Sequence, residues 1–132
     1  MIKYLLTLII FSGFYCIGQT VSSITKIETS YQNCLEKGIN KKGCSYKFYK
    51  QVDSLLNATY KNLTLKLNAQ RIKELKMDQK IWLLKRDIYF KVAYDEVKGK
   101  GIEEGTEDFI ITFNDKKSQL VIARAIVLLN YD

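Results

Sequence analysis

The stretch Gln79-Lys80-Ile81-Trp82-Leu83-Leu84-Lys85-Arg86-Asp87 holds the only tryptophan of the chain. Gln79, Trp82 and Arg86 stand three and four residues apart, so on a helix they share one face. Extending the pattern in both directions collects Ile72, Leu75, Gln79, Trp82, Arg86, Tyr89 and Ala93, in steps of three and four without a miss. This heptad seam predicts a helix over about 70–97, packed lengthwise against another. Its seam face points inward. A glutamine and an arginine there call for polar partners, because an unpaired buried charge is costly.

The preceding segment supplies candidates. From about Cys44 to Leu67, Phe48, Val52, Leu55, Leu56, Thr59 and Leu63 recur at helical spacing, with Asp53, Asn57 and Tyr60 in a second stripe beside them. Asn68 suits the end of this helix and the start of the next. Two helices joined there form an antiparallel hairpin, in which residues at one level have numbers of constant sum. Asp53 with Arg86, Asn57 with Trp82 and Tyr60 with Gln79 each sum to 139, whose midpoint falls at the turn. The sums predict a polar ladder within the hairpin. Asp53 accepts from Arg86, Gln79 meets the Tyr60 hydroxyl, and Asn57 sits inside, beside the Trp82 indole. Such a ladder first fixes register, as a polar seam residue does; ligand recognition at an open end is the functional alternative.

The rest of the chain is expected to complete an all-α fold. Residues 19–27 are rich in Ser and Thr and read as a loose lead-in. A short helix follows over about 28–37, carrying Tyr31 and Leu35 and stopped by Gly38, and residues 38–43 form a polar loop. Gly99, Gly101 and Gly105 mark a connection. Thr106–Phe113, centred on Phe109-Ile110-Ile111-Thr112-Phe113, has strand-like residues and reads as a short strand or an extended cover. Asn114 or Asp115 then caps a last helix over about 116–130. The 132 residues contain no proline, which permits helices of this length, and they make one small domain.

The N-terminus reads as separate from that domain. Lys3 gives a basic start, Tyr4 to Tyr15 is apolar, and Cys16-Ile17-Gly18 places small residues before Gln19, the layout of a secretory signal peptide over residues 1–18. Acylation of Cys16, which would tether the chain to a membrane, is the rival reading; bulky Tyr15 before the cysteine argues against it. Cleavage removes one cysteine of three and leaves Cys34 and Cys44, an even pair in an oxidising compartment. A disulfide between them is the natural reading. Closing so short a loop stabilises by roughly 2–3 kcal/mol in the chain-entropy account.

Composition narrows function by exclusion. Lys3 is the only charge in residues 1–18, so the 21 basic residues against 14 acidic become 20 against 14, a mature charge of +6. There is no histidine, which removes the usual neutral-pH base and the commonest metal ligand. No nucleophile elbow, phosphate loop or metal-ligand cluster is present, so an enzyme is not expected, nor a cofactor. The export signal and the lack of a binding motif argue against nucleic acid. The basic excess, with Lys47, Lys50, Lys61, Lys73 and Lys80 among its helical lysines, fits a cell-envelope module that binds an anionic surface or polymer.

Taken in order behind a signal peptide, Asp53-x-x-Leu56-Asn57-x-x-Tyr60 and Gln79-x-x-Trp82-x-x-x-Arg86-Asp87 resemble the small secreted bacterial domain named after the LprI-type lysozyme inhibitors. Cys34, Cys44 and a C-terminal helix carrying Arg124 look like the same arrangement, and the resemblance covers about residues 28–130. It implies a secreted or periplasmic helical protein that acts by contact with a protein partner, a lysozyme or another peptidoglycan hydrolase. Animal lysozymes are cationic. The compact acidic stretch Glu103, Glu104, Glu107 and Asp108 is therefore the candidate for reaching into a cationic cleft, while the motif residues read as structural.

Overall fold

The computed structural model describes the backbone of residues 14–131 and the side chains of residues 21–131. The described residues form four helices: α1 (Phe14–Glu36), α2 (Lys41–Thr64), α3 (Ala69–Gly99) and α4 (Glu107–Leu129). No strand occurs among the described residues. Most of the expected signal segment lies outside them. α1 is already helical at Phe14 and passes through the expected cleavage point at Gly18.

α1 is longer than its sequence suggests. The expected loose lead-in over 19–27 is helical, although Ser and Thr dominate it. Ile24, Ile27 and Tyr31 recur at steps of three and four and reach the core, with Ile24 and Tyr31 buried. Their burial outweighs the modest helix-propensity cost of the hydroxyl residues between them. Gly38 then turns the chain in the left-handed region at φ 69°, and Asn40 opens α2 by accepting from the Gly43 backbone N–H. The Tyr31 and Phe48 rings stack at 4.3 Å, and the Cys34–Cys44 disulfide forms as expected, with Cα atoms 5.8 Å apart. α1 therefore runs antiparallel to α2.

Asn68 caps α3, accepting from the Arg71 N–H, where the sequence placed the boundary. One aromatic contact joins the two long helices at the expected level. Tyr49 on α2 meets Phe90 on α3 edge-on at 6.2 Å, and their numbers sum to 139. The main packing is different from that expected, however: α4 lies along α2 and also against α3, so the hairpin is filled by the last helix rather than closed on itself.

α4 begins nine residues before the expected point, at Glu107 instead of Lys116. The segment predicted as a strand, 106–113, is its cap and first turns. Thr106 accepts from the Phe109 N–H, and Glu107 and Asp108 sit in the first turn, where negative charge suits the helix dipole. Phe109 and Phe113 both pack edge-on against Tyr94 of α3, at 5.2 and 5.8 Å. Local β-propensity is thus overridden by tertiary packing. Asn114 and Asp115 are not caps. The buried Asn114 donates to Ser45 of α2, and Asp115 accepts from the Tyr31 hydroxyl of α1. Phe48, Val52, Leu56, Leu75, Val121, Ala125 and Leu128 form the centre of the core.

Candidate functional site

The face of α3 that the sequence singles out meets α4, and its partner is an arginine that the ladder did not include. Arg124, buried on α4, donates from Nε and Nη2 to Gln79 Oε1 at 3.0 and 2.8 Å, and from Nη2 to Asp78 at 2.6 Å. Its guanidinium carbon lies 5.6 Å from the centre of the Trp82 ring. One buried charge therefore has a carboxylate, an amide oxygen and an aromatic face, a set that offsets its desolvation.

The expected ladder pairs do not form. Arg86 is half-buried and bonds its neighbour Asp87, from Nε at 2.9 Å and Nη2 at 2.7 Å, while lying 5.8 Å over Trp82 and 5.7 Å over Phe90. Asp53 accepts from Asn57 at 3.3 Å, one turn away on the same helix. Asn57, expected inside, is exposed, and Tyr60 packs at the edge of the core. Leu56 is a core residue. The reason is the interposed α4: it takes up the space between the two stripes and offers Arg124 to Gln79. Asp53 and Arg86 still act at one level. Both bear on Tyr49, whose hydroxyl is pushed above the ordinary tyrosine range by burial first and the Asp53 carboxylate second, with Arg86 opposing.

Beside this level Lys117 of α4 enters an aromatic enclosure. Its ammonium lies 4.2 Å from the Tyr49 ring centre, 4.7 Å from Phe113 and 5.9 Å from Phe90. Burial lowers its affinity for the proton. No sequence spacing signals this group, because its three rings come from three helices.

Two surface features remain. The acidic residues Glu103, Glu104, Glu107 and Asp108 are all exposed at the connection between α3 and α4. Glu104 lies 3.8 Å from Lys98 and raises the Tyr94 hydroxyl above its ordinary proton affinity, while the Glu103 carbonyl accepts from Thr106 Oγ1. Two open depressions between α1 and α2 adjoin at Lys47 to make a groove, one carrying Lys50 and the other Lys26 and Lys37. Among the described residues no cluster of side chains suits a metal ion, and no helix is long and apolar enough to cross a membrane.

Comparison with curated proteins and with solved structures finds no match. The family model described as lysozyme inhibitor LprI matches residues 31–126, a span that takes in the disulfide, the motifs of α2 and α3, and Arg124. The chain belongs to the lysozyme inhibitor LprI family.

Proposed function

We propose that the protein is exported by cleavage after Gly18 and acts in the periplasm or outside the cell, blocking a lysozyme or related peptidoglycan hydrolase by direct contact and without catalysis. The observation that carries this reading is the extent of the family match, from Tyr31 to Ile126. It takes in the disulfide and the Arg124 clamp, which supports a shared scaffold over a local motif.

Within that body the clamp holds the helices and the α3–α4 connection makes the contact. Glu103, Glu104, Glu107 and Asp108 concentrate negative charge on an otherwise basic molecule, and a cationic cleft would attract that end first. Capture against a panel of lysozymes tests the reading. Retention and inhibition by at least one enzyme are expected, weakened roughly tenfold or more when the four acidic residues become Gln or Asn. Circular dichroism of that variant checks α4, since Glu107 and Asp108 each contribute about 0.3–1 kcal/mol at its start. An unchanged affinity in the neutralised protein removes the loop from the contact; no retention by any enzyme sinks the reading.

A second reading is favoured by the lysine-lined groove between α1 and α2. It would hold an anionic envelope polymer, and binding would then weaken steeply with added salt. Salt-independent binding contradicts it.

A further inference from the structure

α3 is apolar on two faces. Leu75, Trp82, Ala93 and Val97 face the core. Met77, Ile81, Leu84, Ile88 and Val92, in steps of four, three, four and four, lie on the other side of the helix, and each is 46–66% exposed. At 100° per residue the centres of the two rows are roughly 145° apart, so the outer row lies outside the core. It presents on the order of 500 Å² of apolar surface, the size at which an exposed patch marks an interaction site.

The charges that border the outer row decide what covers it. In heptad terms Met77 and Leu84 occupy d, Ile81 and Ile88 occupy a, Asp78 and Lys85 occupy e, and Lys80 and Asp87 occupy g. Two copies of α3 laid antiparallel about a two-fold axis place Met77 against Ile88 of the second copy and Ile81 against Leu84. Antiparallel seams bring e beside e and g beside g. Asp78 then faces Lys85 of the second copy, Lys80 faces Asp87, and Glu74 closes each end of the seam against Lys91. Every one of these pairs is of opposite charge and occurs twice by symmetry. A parallel pair would instead set Lys80 against Lys85. The acidic members keep exposed surface. Asp78 and Asp87 are half and nearly two-thirds exposed, each bonded within the chain through one oxygen, Oδ2 to Arg124 and Oδ1 to Arg86. Glu74, which accepts from Gln70 and Arg71 on its own helix, is 43% exposed.

We propose that the outer face of α3 is an isologous dimer interface, covered by α3 of a second copy in antiparallel register. With the stems of the flanking lysines, the buried surface approaches the ~800 Å² per partner of a stable interface. The disulfide, the acidic connection and the α1–α2 groove all lie on other parts of the molecule, so the dimer presents two copies of each.

Sedimentation equilibrium on the purified, disulfide-bonded protein tests this. A concentration-dependent dimer is expected, weakened at least tenfold by Leu84→Asp. Lys80→Glu and Asp87→Lys alone should each weaken it, because like charges then meet at two symmetry-related points, and the double swap should restore it to within about threefold. These positions are exposed, and unchanged circular dichroism confirms that the variants fold. A protein that stays monomeric up to about 100 μM overturns the proposal. A dimer indifferent to Leu84→Asp, or one that the double swap fails to restore, overturns the antiparallel seam. A monomer whose capture of a hydrolase is lost in Leu84→Asp assigns the face to that enzyme instead. The last outcome leaves the inhibitor reading intact, which separates the two.

Discussion

Arg124 and Gln79 stand 45 residues apart in the chain and are joined by two hydrogen bonds, at 3.0 and 2.8 Å, across the packing of α4 on α3. The geometry makes Gln79 an acceptor, fixing its amide oxygen toward α4. It also means that the inward polar residues of α3 are matched by the last helix and not by the neighbour in sequence.

Double-mutant cycles distinguish these two arrangements. Gln79→Ala with Arg124→Ala should show a coupling of about 0.5–3 kcal/mol in urea unfolding, as residues of one buried network do. Asp53→Ala with Arg86→Ala should be additive to within about 0.5 kcal/mol, since those side chains bond elsewhere. Arg124→Ala alone should destabilise by roughly 2–4 kcal/mol, through the lost contact over Trp82 as well as the lost bonds. Strong coupling in the Asp53 cycle and none in the Gln79 cycle would reverse the assignment.

Reduction of Cys34–Cys44 should lower stability by about 2–3 kcal/mol while leaving helix content intact, because the bond closes a short loop at one end of the bundle. Thermal unfolding with and without reductant, followed by circular dichroism, measures it. A collapse of the helical signal at room temperature would show that the bond is needed for folding itself.

The contact of Tyr31 with Asp115 ties α1 to α4 and gives stability a pH dependence. Burial first, then the bond to Asp115 and its charge, hold the Tyr31 hydroxyl far above the ordinary tyrosine range. A group raised in the folded state leaves stability intact below its unfolded value, about 10, and loses it as pH rises beyond. Tyr49 and Tyr94 are raised as well, so Tyr31→Phe should soften the alkaline decline without abolishing it. Wild type and variant declining in parallel above pH 10 would contradict the assignment.

Lys117 works in the opposite sense. Its lowered proton affinity means that the charged form is disfavoured by folding, so stability is gained as pH rises from the lowered folded value toward the ordinary lysine range. Lys117→Met should remove that gain and leave the protein at least as stable at neutral pH, with the methionine filling the space among Tyr49, Phe90 and Phe113. A clear loss of stability at pH 7 would show that the cation–π contacts outweigh desolvation.

Ser118 is fully buried in α4, and its hydroxyl has no hydrogen-bond partner among the described residues. Ser118→Ala removes an unsatisfied polar atom at nearly constant volume and should raise stability by about 1 kcal/mol. Chemical denaturation of the pair is sufficient to check it, and a loss of similar size would reveal a bond to the hydroxyl.

The sequence by itself determined what depends on neighbours along the chain. Helical period located α2 and α3, Asn68 placed the turn between them, and the count of cysteines gave the disulfide, whereas the three side-chain pairs of constant sum did not form. The helices and their turn follow from local geometry, in which period and capping residue leave little choice, and the disulfide follows from there being a single pair of cysteines after residue 18. Tertiary structure alone decided which residue answers Gln79 and Trp82, because Arg124 arrives from another helix and a register within one hairpin carries no information about a third element. It also decided the state of Phe109–Phe113, whose strand-like side chains become helical once Tyr94 is there to pack against, and of Asn114 and Asp115, whose short polar side chains suit a cap equally well as a bond across the core. The outer row of α3 belongs to the second group too. Apolar residues on both sides of one helix do not announce which side is covered, and only the packing of α4 against one of them leaves Met77, Ile81, Leu84, Ile88 and Val92 facing outward.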